Sequence, residues 1–131
     1  MIAVDTNVVV RILTRDDEAQ FQRALRCFSV DDVYLCETVI LETEWVLRYA
    51  YSFSSEEIIR AFRLLLGLPN VRVSDVVRVS LALDWHEKGL DFADAIHLAG
   101  CQHAEDMLTF DRQFVSMSTG LGRCPVAEPP G

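Results

Sequence analysis

Met1-Ile2-Ala3-Val4-Asp5-Thr6-Asn7-Val8 opens the chain, and the order of its residue types decides the reading of the fold. Ile2-Ala3-Val4 is a short apolar run suited to a buried strand, and Asp5-Thr6-Asn7 are types common at turns and helix starts. Val8, Val9, Ile12 and Leu13 then recur as one apolar helical face, and after Asp16-Asp17 so do Phe21, Ala24, Leu25 and Phe28. The pattern of strand followed by helix continues outward. Val33-Tyr34-Leu35-Cys36 is a second strand; Thr38 is read as the cap of a helix reaching about Tyr51, and Asp16 as the cap of the helix before it. Ser54 with Glu57 has the capping-box form for a helix ending near Gly67 and Pro69. Val71-Arg72-Val73 predicts a weak strand, Asp75 a helix stopping at Gly89, and Asp91 a helix through about His103. Met107-Leu108-Thr109-Phe110 is a further strand, with a short helix from Asp111. Strands alternating with helices predict an α/β/α sandwich around a mostly parallel central sheet. One domain is expected over 1–124, with 125–131 as a C-terminal tail.

At 131 residues the chain is long enough to bury one core and too short for two ordinary domains. Half the residues are hydrophobic and 24% charged, which excludes a disordered chain. No apolar run approaches the roughly 20 residues that span a bilayer, and the start has no basic segment before an apolar one, so a cytoplasmic protein is expected. Cys27, Cys36, Cys101 and Cys124 are far apart with no Cys-x-x-Cys pair, which favours buried free thiols. The net charge of −8 has the wrong sign for holding nucleic acid by electrostatics alone.

Most acidic residues have a structural explanation as helix caps or solvated turn residues. Glu44 and Arg48 form an i,i+4 pair and are read as part of a solvated face. Glu42 projects instead from the stripe of Val39, Val46 and Tyr49, where an unpartnered carboxylate is costly. Asp5 and Asp111 each follow a strand directly, at the carboxyl ends where α/β sheets form ligand crevices, with turn capping as the structural alternative. Asp94 lies three residues into the helix opened by Asp91, near its positive end. If the strands at 2–4 and 107–110 are neighbours, Asp5, Glu42, Asp94 and Asp111 converge. Four clustered anions must take up protons or a cation, and an all-oxygen site suits Mg²⁺ or Mn²⁺. Thr6, Asn7 and Thr109 are placed to orient the carboxylates or a water from outside the ligand set. Two such ions would also bring the formal charge from −8 to −4. Arg11, Arg15, Arg48 and Arg112 are candidate phosphate contacts.

Competing motifs are weak. Asp94, His97 and Cys101 share a helical face, but no second cluster completes a zinc site. Neither a phosphate-binding Gly-x-x-x-x-Gly-Lys loop nor a Gly-x-Ser-x-Gly elbow occurs.

The opening octapeptide resembles the first motif of PIN domains, and Ile40-Leu41-Glu42-Thr43-Glu44-Trp45-Val46-Leu47 the second. Asp91-Phe92-Ala93-Asp94-Ala95 and Leu108-Thr109-Phe110-Asp111 are similar to the third and fourth. The resemblance implies that Asp5, Glu42, Asp94 and Asp111 are the acidic metal-site residues, and it favours Glu42 over Glu44. The length and Arg11-Ile12-Leu13-Thr14-Arg15-Asp16-Asp17 resemble VapC-type toxins, which implies a metal-dependent endoribonuclease acting on RNA, a cognate antitoxin partner and a homodimer. A non-catalytic PIN-like assembly module would be expected to lack one of the four acids. A metal-dependent nuclease or phosphatase acting on another phosphoester is the other alternative, although Asp5-Thr6-Asn7 lacks the Asp-x-Asp of haloacid dehalogenase phosphatases.

Overall fold

A computed structural model describes residues 1–131, and its contacts fall into two compact units, Met1–Val76 and Val77–Gly131. The fold is α/β, with every strand pairing parallel.

In the first unit β1 (Ile2–Ala3), β2 (Val33–Tyr34) and β3 (Val71–Arg72) form a sheet in that order, Ile2 opposite Val33 and Val33 opposite Val71. Parallel neighbours need a crossover. Helices α1 (Thr6–Thr14) and α2 (Glu18–Val30) make the first, and α3 (Glu37–Ala50) and α4 (Ser55–Leu66) the second. The ladders are shorter than the apolar runs that predict them, because pairing stops where the chain turns into the next helix. Val9, Val10, Phe28, Val33, Leu35, Ile40, Leu47 and Phe62 are buried.

The local signals hold in some places and shift in others. Ser54 and Glu57 form the reciprocal capping box, and α4 ends on Gly67. The cap of α2 is Asp17, which accepts from Gln20 N–H; Asp16 instead accepts from the Tyr51 hydroxyl at 2.6 Å and pairs with Arg11 at 3.3 Å. The cap of α3 is Cys36 rather than Thr38, and its side chain makes no capping bond.

In the second unit α5 (Val76–Glu87) and α6 (Phe92–Ala99) precede β4 (Met107–Leu108), α7 (Arg112–Met117) and β5 (Val126–Ala127). Only the first residue of α5 belongs to the other unit. Gly89, at φ +109°, turns the chain after α5, and an added Cβ there would meet the Met117 methyl at 2.7 Å. Asp91 caps α6, which ends at Gly100 and not near His103. Residues 125–131, expected as a tail, contain β5, which pairs with β4 through Met107–Val126 and Leu108–Ala127. Two-residue strands carry little periodicity, so only the pairing partner reveals such a segment. All four cysteines are free, as expected, but only Cys124 is buried; Cys27, Cys36 and Cys101 are half-buried.

Candidate active site

The first unit carries Asp5 and Glu42. Asp5 stands between β1 and α1 and caps the helix, its Oδ1 accepting from Val8 N–H at 3.3 Å. The contact is long, the residue is exposed, and Oδ2 has no hydrogen-bond partner. Thr6, the first residue of α1, is buried, and its hydroxyl donates to Oε1 of Glu42 on α3. That bond ties together side chains 36 positions apart in sequence, so packing of α1 on α3 holds Glu42 beside the residue that follows Asp5. Asn7 is exposed, makes no side-chain hydrogen bond and lies on the wall of a cleft of ≈ 530 Å³. Val8, Ala24 and Cys27 give this cleft an apolar lining, and Arg23 and Arg26 on its rim have no acidic partner.

The expected roles of the two glutamates on α3 need correction. Glu42 is exposed, not buried in an apolar stripe, and Tyr49 on its face is exposed too. Glu44 is not solvated: it is 1% exposed. Arg48 Nη2 donates to its Oε1 at 3.1 Å, and Arg48 Nε lies 2.9 Å from its Oε2 as an ion pair rather than an aligned hydrogen bond. Because α3 packs against both α1 and α4, it has a second covered face. A helical wheel draws the same Glu–Arg pair whether or not another helix lies over it.

The second unit carries Asp94 and Asp111. Asp111 caps α7, its Oδ1 accepting from Gln113 N–H at 2.9 Å and Phe114 N–H at 3.2 Å, with Oδ2 left free. Thr109 Oγ1 accepts from the Asp111 N–H at 3.0 Å, fixing the turn that presents the carboxylate. Asp94 is half-buried in the first turn of α6. Burial pushes its carboxyl above the ordinary range, the negative charges of Asp91 and Asp111 add to the effect, and His97 opposes it. The surroundings of Asp94 therefore disfavour its own negative charge. No group of three metal-capable side chains is gathered within either unit. What each unit offers is two carboxylates whose hard oxygen donors suit Mg²⁺ or Mn²⁺.

The four arginines expected as phosphate contacts are already engaged: Arg11 with Asp16, Arg15 with Glu18, Arg48 with Glu44 and Arg112 with Glu128. Glu18 stands at i,i+3 from Arg15, whereas no periodicity rule marks Asp16 or Glu128 as a partner. The exposure of Trp45, Tyr49 and Phe110 is equally invisible in the sequence.

A parallel α/β fold with a carboxylate after the first strand and another after the fourth defines a class of protein, and the family comparison agrees with it. The PIN domain model matches residues 2–119, and the chain belongs to the PIN domain family. Among solved structures, the chain is similar to the crystal structure of Mycobacterium tuberculosis VapC20, a Sarcin-Ricin loop cleaving toxin, with 21% identity and a TM-score of 0.44 over 94% of this chain and 98% of that one. No curated protein sequence matches the chain. No helix is long and apolar enough to cross a membrane.

Proposed function

We propose that this chain is a divalent-metal-dependent endoribonuclease and the VapC-type toxin of a toxin–antitoxin pair. The observation that carries the reading is family membership over residues 2–119, joined to the presence of Asp5, Glu42, Asp94 and Asp111 in the stretches that resemble the family's motifs. The surroundings of these carboxylates support it. Asp94 is held where ionisation is costly without a cation, and Asp5 and Asp111 spend one oxygen on capping and keep the other available.

In this reading Asp5, Glu42, Asp94 and Asp111 hold Mg²⁺ or Mn²⁺. Such an ion supplies positive charge against a phosphoryl oxygen and the departing oxygen as water attacks phosphorus. The protein's own groups do the positioning. Thr6 fixes the Glu42 rotamer through its hydroxyl, and Thr109 fixes the turn at Asp111. A proton on Asp94 competes with the cation, so cleavage weakens in acid. RNA substrate, cognate antitoxin, homodimeric assembly and a cytoplasmic setting complete the proposal. A basic side chain of the antitoxin pairing with these carboxylates would inhibit by competing with metal or substrate.

The deciding experiment incubates the purified chain with total RNA, with Mg²⁺, with Mn²⁺ and with excess EDTA, and maps new ends by sequencing. Discrete new ends that require the metal are the expected outcome. Intact RNA under all conditions, or cleavage undiminished by EDTA, overturns the reading.

A further inference from the structure

Besides the Thr6–Glu42 bond, a second set of side-chain bonds joins α1 to α3, and the proposed site does not account for it. Tyr51, the residue that closes α3, donates its hydroxyl proton to Oδ2 of Asp16 at 2.6 Å and accepts from Arg11 Nη1 at 3.3 Å. Arg11 Nη1 also lies 3.3 Å from Oδ1 of Asp16. Nε of Arg11 donates to Gln20 Oε1 at 2.6 Å, which brings in the first turn of α2. The end of α1, the start of α2 and the end of α3 thus meet in one polar network, through bonds that span 35 and 40 positions of sequence. The whole network lies within the first unit.

Two ties in the same order along two helices fix how far one is slid along the other. Apolar packing is non-directional and tolerates a small shift along the helix axis, whereas a hydrogen bond weakens steeply as its geometry departs from the ideal. Arg11 and Asp16 are partly solvated, so their ion pair adds little stability; what the network supplies is a set position. That position matters because α1 begins with Thr6, whose hydroxyl is the hydrogen-bond partner of the exposed Glu42 side chain on α3. We infer that Tyr51 is a positioning residue: its hydroxyl, held by Asp16 and Arg11, sets α1 against α3 so that Thr6 meets Glu42. The inference rests on the nuclease reading for its chemical consequence, and adds to it a residue at the far end of α3.

Tyr51→Phe removes only the hydroxyl and keeps the ring, which stands edge-on to Phe53 with centroids 6.4 Å apart. Ser54→Ala serves as the comparison, since it weakens the cap of α4 without touching the network. In the full-length, metal-free chain, the Thr6 methyl and Glu42 side-chain carboxyl resonances are followed by NMR. Tyr51→Phe is expected to move both, and Ser54→Ala neither. Cleavage of RNA in Mg²⁺ should show kcat lowered about ten- to a hundredfold in Tyr51→Phe, the scale on which a small misplacement acts, with KM nearly unchanged. Thr6→Val should lower kcat as well, and Tyr51→Phe added to it should cost little more, because the bond through which the hydroxyl acts is already gone. Resonances of Thr6 and Glu42 that stay in place in Tyr51→Phe overturn the positioning role, as do losses from Tyr51→Phe and Thr6→Val that multiply. Absence of metal-dependent cleavage by the parent removes the nuclease reading, and the resonances then decide the positioning by themselves.

Discussion

Glu42 and Glu44 are two residues apart on one helix and are expected to fail in opposite ways. Glu42 is exposed and held by the Thr6 hydroxyl, so Glu42→Gln should leave the urea midpoint almost unchanged. It should reduce RNA cleavage at least about 100-fold, the upper scale on which even outer-shell partners of a metal act. Glu44 is buried against Arg48. Glu44→Gln should cost about 1–2 kcal/mol of stability, less than a fully buried broken pair because Arg48 retains access to water, and cleavage per folded molecule should persist. Urea denaturation with cleavage assays on both variants checks this. Equal activity losses would show that the face assignment is wrong. Asp94 gives a pH signature. Its folded-state pKa is raised, so the native chain binds this proton more tightly than the unfolded chain does, and stability falls as pH rises through the window between the ordinary and the raised pKa. In the metal-free protein Asp94→Asn should therefore raise the thermal midpoint at pH 7. The gain should shrink as pH falls through that window and be gone below the ordinary aspartate range. A variant less stable than the parent at pH 7 would contradict the burial and like-charge explanation.

Helix starts do two jobs in this fold, because Asp5 caps α1 and Asp111 caps α7 while both belong to the proposed acidic set. Capping by itself accounts for an aspartate at either position, so structure and catalysis must be separated chemically. Asparagine caps about as well as aspartate, and alanine forfeits about 1 kcal/mol. Asp5→Asn should keep the parent's thermal midpoint and lose metal-dependent cleavage; Asp5→Ala should lose both. Calorimetry paired with RNA cleavage tests this, and an active Asp5→Asn protein would reduce Asp5 to a cap. Asp94 cannot be treated the same way, since the capping oxygen of α6 belongs to Asp91.

At the scale of the whole chain, the acidic set is divided, with Asp5 and Glu42 in one compact unit and Asp94 and Asp111 in the other. Residues that serve one chemical step are strongly non-additive, because once one is lost the rest have nothing left to accelerate. The Asp5→Asn/Asp94→Asn double variant is therefore expected to cleave RNA no more slowly than the weaker single variant. Single-turnover rates in Mg²⁺ for the parent, both single variants and the double variant make the measurement. Losses that multiply would mean that the two aspartates act in separate steps.

How much was legible in the sequence follows from the range of the forces involved. The alternation of strand and helix, the Ser54–Glu57 capping box, the helix stop at Gly67 and the positions of Asp5 and Asp111 after their strands depend on residues within about four positions of each other, and the sequence states those directly. The wheel and the resemblance to PIN domains both select Glu42 over Glu44, but the wheel's account of their surroundings is reversed: Glu42 is exposed and Glu44 buried. What the tertiary structure decided is which surface covers which. Glu44 is buried because α3 has neighbours on two sides; Val126–Ala127 is a strand because Met107–Leu108 lies beside it; Arg11 is occupied because the chain brings Tyr51 and Asp16 to it. Burial and pairing across tens of residues are properties of the packed chain, and a helical period or a cap is the same whether or not anything packs against it.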